Sequence, residues 1–230
     1  MRFVICHPAS AELDPVLASE MALKNDIFLI DCVENMDDGK TPVYFKSVRA
    51  AFPNYHFYSK TDLDSYNLYF NVAYALDAAP KCNLYMGQTH ICELDFTYNV
   101  GHMYILSKDL VLLLEGCGDD CADVVGLEDQ TIGKFLDRLA GKERLQWGDW
   151  SVRHVAFGPN GSLKGQKKGR GPLLKELFTP WLILLHGMKK HNWMEGHGYF
   201  REVVTVDAIR TSKGENFVDG ALTTKWDVHC

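Results

Sequence analysis

The chain has 230 residues, 47% of them hydrophobic, and a formal net charge of −6. That size and apolar content fit one α/β domain spanning residues 1–230. The acidic balance excludes a general nucleic-acid binder, which needs a basic face, but leaves room for one basic pocket.

Strand and helix signals alternate along the chain. Arg2–Cys6 reads as a strand, and its apolar stretch is too short for a signal peptide. Asp14 before Pro15 resembles an N-cap followed by proline at the first helical position, with Leu13, Leu17 and Met21 on one face. Ile27–Ile30 is a second short strand between Asp26 and Asp31. Gly39-Lys40-Thr41 opens a helix with Tyr44, Val48 and Ala51 at helical spacing. A third strand runs toward Asp62-Leu63-Asp64, and the spacing of Leu68, Val72, Leu76 and Ala79 predicts a helix from about Ser65 to Ala79. Asn83–Gly87 and Met103–Leu106 read as strands, Lys108–Glu115 as a helix. Ile132, Phe135, Leu136 and Leu139 form the stripe of a helix beginning near Asp129. The alternation predicts an α/β sandwich with a largely parallel sheet.

The last third differs. A stretch at about 158–172 carries Lys164, Lys167, Lys168 and Arg170 among glycines, and reads as an exposed flexible loop. It is either a solvated linker or an electrostatic lid over an anionic ligand. Trp181–Leu185 is an apolar strand ending at His186. This run and Leu110–Leu114 fall far short of the roughly 20 residues that cross a bilayer, so no membrane span is expected. Seven cysteines are too few and too scattered for a disulfide scaffold; the one close pair, Cys117 and Cys121, suits a local disulfide or two free thiols.

Asp62-Leu63-Asp64 is the motif with the most chemistry. Ligand sites in open α/β sheets lie at the carboxyl ends of strands. Two carboxylates there repel unless a cation sits between them. Oxygen donors suit Mg²⁺ or Mn²⁺ held together with substrate phosphates. The plain alternative is a capping, solvated turn. Glu128-Asp129 before a helix complements the dipole or supplies a general base. His186 is either a structural histidine or a neutral imidazole ligand for a metal such as Mn²⁺. Gly39-Lys40-Thr41 is not a P-loop, because Glu34 stands where the first glycine belongs.

In order and spacing these segments resemble glycosyltransferase family 31, the β-1,3-galactosyltransferase and Fringe-like group, in its plant and fungal branches. The resemblance covers Arg2 to about Val203. It rests on Lys24–Asp31, Glu34–Thr41, Lys60–Tyr66, Leu84–Gly87, Gly101–Leu110 and Glu128–Gln130. It implies a GT-A fold, a Rossmann-like mixed sheet flanked by helices. It further implies metal-dependent inverting transfer of a hexose, galactose or N-acetylglucosamine, from a UDP-sugar to a glycan or glycoprotein hydroxyl in the Golgi lumen. Carried onto this sequence, it makes Asp62 and Asp64 the Mn²⁺ (or Mg²⁺) motif, with Asp64 the direct ligand. It makes Asp129 the catalytic base and His186 a late metal ligand. Leu63 replaces the middle acid of the family's Asp-Asp-Asp, at a position that touches the donor.

By the same resemblance the chain starts at the family's second strand. It is then N-terminally truncated, lacks the usual anchor, and is expected to bind UDP-sugars weakly and to transfer slowly. An alternative reading, favoured by Leu63 and the missing strand, is a catalytically impaired or non-enzymatic relative. A metal-dependent phosphohydrolase would need more acidic ligands around two ions.

Overall fold

The computed structural model describes residues 2–7, 15–35, 37, 39–91, 96–116, 126–141, 144–149, 154–156 and 184–186, the last two segments as backbone. The elements in order are β1 (Phe3–Cys6), α1 (Pro15–Lys24), β2 (Ile27–Ile30), α2 (Lys40–Ala51), β3 (Phe57–Thr61), β4 (Ser65–Asn67) and α3 (Tyr69–Asp77). They continue with β5 (Leu84–Ile91), β6 (Thr97–Ser107), α4 (Lys108–Gly116), α5 (Glu128–Ala140), β7 (Gln146–Asp149), β8 (His154–Ala156) and β9 (Leu184–His186).

The central sheet has the order β3-β6-β5-β7. β6 runs antiparallel to both β3 and β5, and only β7 lies parallel to β5. β1 and β2 form a separate parallel pair, and β4-β9-β8 a third small sheet. The expectation of a largely parallel sheet is therefore corrected to a mixed one. β5 and β6 are joined by residues 92–96, a link too short for the crossover that parallel neighbours require.

β6 shows why the sheet needs helices on both faces. Met103 to Ser107 is continuously buried, and its side chains alternate between two cores. Tyr104 and Leu106 pack with Phe45 of α2, Leu110 and Val111 of α4, and Ile132, Phe135 and Leu136 of α5. Met103 and Ile105 pack on the opposite face with Val72 and Ala75 of α3. Gly133 lets α5 lie directly on β6: a Cβ there would stand 2.4 Å from the Tyr98 Cβ.

The predicted helix from Ser65 to Ala79 is also corrected. Its first turn is strand β4, and the helix occupies only Tyr69–Asp77. Leu68, Val72 and Ala79 are still buried, as the spacing requires. Ser65–Asn67 instead takes a distant strand partner, β9, which no local pattern encodes. Elsewhere the helix starts at Lys40, Lys108 and Glu128 agree with the sequence reading, and β5 and β6 extend well beyond the runs that announced them.

Cys6 and Cys32 form a disulfide that ties the end of β1 to the chain just after β2. Cys82 is disulfide-bonded as well. The sequence reading had set a disulfide framework aside. Cys117, Cys121, Asp14, Leu13 and the basic stretch at 158–172 lie outside the described residues.

Candidate functional site

β3 ends at Thr61, and the chain reverses through Asp62, Leu63 and Asp64 into β4. The Ser65 amide donates to the Asp62 carbonyl at 3.2 Å and closes this turn. The turn is fixed to β6 through one carbonyl. The oxygen of His102 accepts from the Asp62 amide at 3.0 Å, the Thr61 hydroxyl at 3.1 Å and the Ser65 hydroxyl at 3.0 Å. Three donors on one acceptor leave the turn little freedom. Leu63 occupies its tip and is 82% exposed, whereas Asp62 and Asp64 are half-buried.

Lys60 organises the ground beneath the turn. Residues two apart on a strand share a face, so Lys60 and Asp62 point the same way at the end of β3. The Lys60 ammonium lies 2.6 Å from Oδ1 of Asp62 and 2.5 Å from Oε1 of Glu128, and donates to the Gly101 carbonyl at 2.8 Å. Glu128 opens α5 and is buried; its Oε2 accepts from the Tyr104 hydroxyl at 3.0 Å. Burial pushes the Glu128 carboxyl above its ordinary range, against the opposing pull of Lys60, Tyr104 and Thr41. Burial also works against the Lys60 ammonium, but Glu128 and Asp62 together outweigh it and hold Lys60 above its usual value. The two directions agree, because one ammonium is shared: it gains from two carboxylates, while Glu128 gains from only part of it.

Asp129 is the next residue of α5. Its Oδ2 accepts from the Gly101 amide at 2.9 Å, and its Oδ1 from the Gln130 amide at 2.8 Å. Both oxygens are thus oriented by backbone donors. Gly101 sits between Asp129 and Lys60, its N–H on the former and its C=O on the latter. A Cβ there would lie 3.0 Å from Oε1 of Glu128 and 3.3 Å from the Lys60 nitrogen, so the ion pair would have to give by a few tenths of an ångström to admit it.

The structure therefore brings Asp62 and the Glu128-Asp129 pair to one strand end through Lys60 and Gly101. β9 runs antiparallel to β4, with His186 in register opposite Ser65, so the His186 backbone lies beside the residue that follows Asp64. The His186 side chain lies outside the described residues. Among the described residues no three His, Cys, Asp or Glu side chains are grouped as a metal set. In donor type, the carboxylates of Asp62 and Asp64 are of the kind that suits Mg²⁺ or Mn²⁺. One oxygen of Asp62 is held by Lys60.

Sequence reasoning singled out Asp62, Asp64 and Asp129 but missed Lys60, Glu128 and Gly101 as the residues joining them. The i, i+2 spacing of Lys60 and Asp62 was a usable signal. The pairing with Glu128 was not, because it spans two elements far apart in the chain.

No protein-family model matches the chain, and no curated protein matches it. No helix among the described residues is long and apolar enough to cross a membrane.

Proposed function

We propose that the chain is a metal-dependent inverting glycosyltransferase of GT-A fold. It moves a hexose, galactose or N-acetylglucosamine, from a UDP-sugar to a hydroxyl of a glycan or glycoprotein. The observation that carries this reading is the joining of two acid sets at one strand end. The Asp62–Asp64 turn and the first turn of α5 meet through Lys60 and Gly101. Leaving-group stabilisation and proton removal are the two demands of sugar transfer, and each set suits one.

In this reading Asp64, with His186 and Asp62, would hold Mn²⁺. Bound there, the ion would supply positive charge to offset the negative charge developing on a departing diphosphate. Asp129 takes the proton from the acceptor hydroxyl as it attacks the anomeric carbon from the opposite side. The Gly101 and Gln130 amides keep that carboxylate pointed. Exposed Leu63, at the tip of the turn, meets the donor's ribose or sugar. The disulfides at Cys6–Cys32 and Cys82 support an oxidising compartment, which accords with the Golgi lumen.

The test is a calorimetric titration of the full chain with UDP, with and without Mn²⁺, followed by UDP release from UDP-galactose and UDP-N-acetylglucosamine. Binding that depends on Mn²⁺, with release from one donor, is expected. UDP binding indifferent to Mn²⁺, or no binding, overturns the reading.

A further inference from the structure

Lys60 is a cation already installed beside the acids assigned to a metal. Its ammonium is 2.6 Å from Asp62, with a side chain only 12% exposed, so water screens it little. A divalent ion at the same turn competes with it for Asp62 and is repelled by it. Two other acceptors stand ready for the ammonium: Glu128, 6% exposed, at 2.5 Å, and the Gly101 carbonyl at 2.8 Å.

We propose that Lys60 is the positioning residue of the cation site, an internal competitor for Asp62 whose grip is set by Glu128. When a divalent ion approaches Asp62 and Asp64, the ammonium withdraws toward Glu128 and Gly101. It keeps two partners, so the withdrawal leaves no bare buried charge. Gly101 also carries Asp129 on its N–H. This inference rests on the transferase reading for the identity of the ion.

The arrangement fixes the sign of two substitutions. Lys60→Met removes the competitor, and Mn²⁺ should bind more tightly, by about threefold or more. Glu128→Gln removes the ammonium's second carboxylate, leaves Lys60 with Asp62 and the Gly101 carbonyl, and should weaken Mn²⁺ by a similar factor. In Lys60→Met/Glu128→Gln the effect of Glu128 should vanish, because it acts only through Lys60. A merely structural role predicts weaker binding in both single variants, so the opposite signs are the discriminating result.

The experiment is Mn²⁺ titration of the full chain, alone and with UDP present, for wild type and the three variants, with a thermal melt of each. If Lys60→Met fails to fold because Glu128 is left unpaired, the double variant against Glu128→Gln gives the same comparison. Tighter Mn²⁺ binding in the double variant supports the proposal. Weaker or equal binding on loss of Lys60, in a wild type that does bind Mn²⁺, overturns it and leaves the transferase reading standing. A wild type that binds neither Mn²⁺ nor UDP overturns both.

Discussion

The backbone amide of Gly101 donates to the carboxylate of Asp129 across 28 residues of sequence. The carbonyl of the same residue accepts from Lys60. One glycine in β6 thus relates an acid on a helix to an ammonium on a neighbouring strand, through the two peptide units that flank its Cα.

Asp64 and Asp129 should fail in different ways. Asp64→Ala should abolish Mn²⁺-dependent UDP binding. Asp129→Asn should leave that binding nearly intact and remove transfer, because a base acts mainly in the transition state. Titration with UDP and turnover measured on the same preparations separate the two. Equal loss of UDP affinity in both variants contradicts this division of roles.

Gly133→Ala should destabilise the protein despite alanine's better helix propensity. The propensity gain is about 1 kcal/mol. The new Cβ, however, would meet the Tyr98 Cβ at 2.4 Å and the Thr97 carbonyl at 3.0 Å, atoms fixed in β6. Overpacking of this kind costs about 3 kcal/mol, for a net loss of about 2 kcal/mol. Denaturant unfolding of the two proteins measures it; an unchanged midpoint means that α5 does not sit on β6 as described.

Stability should fall once the pH rises above about 10. Tyr44, Tyr85 and Tyr104 are each pushed up from 10.0, in the first place by burial, so in the folded protein they stay neutral where the unfolded chain ionises. Their contribution is complete below 10.0 and is lost as pH climbs toward their raised values. Lys60 acts in the same direction, its contribution persisting below 10.5 and disappearing as the ammonium deprotonates. Denaturant midpoints at neutral and alkaline pH, with tyrosine absorbance followed in parallel, should show tyrosinate appearing with unfolding. Free titration of all tyrosines in the folded state would contradict it.

Replacing Cys6 and Cys32 together by alanine should cost about 3 kcal/mol if the closed loop acts through the unfolded chain. The loss should be local. Hydrogen exchange should quicken at the β1–β2 amides and stay slow in β5 and β6, where both faces of the sheet are covered. Equal acceleration in both regions would show that the small sheet and the central one open together.

By itself the sequence determined the elements whose information is local. The apolar stripe Ile132, Phe135, Leu136 had one helical face and is buried as that spacing demands. The start of α2 at Lys40 and the turn at Asp62-Leu63-Asp64 followed equally from short-range pattern. Strand direction was not legible, because a buried strand reads alike whether its neighbours run parallel or antiparallel. Ser65–Asn67 looked helical for the same reason: its partner β9 lies more than a hundred residues away. The site divides along that line. Asp62, Asp64 and Asp129 could be named from residue type and position. Only the tertiary structure brought Glu128 to Lys60 and Gly101 between them, because an ion pair between two elements depends on how those elements pack, and no spacing along the chain records that.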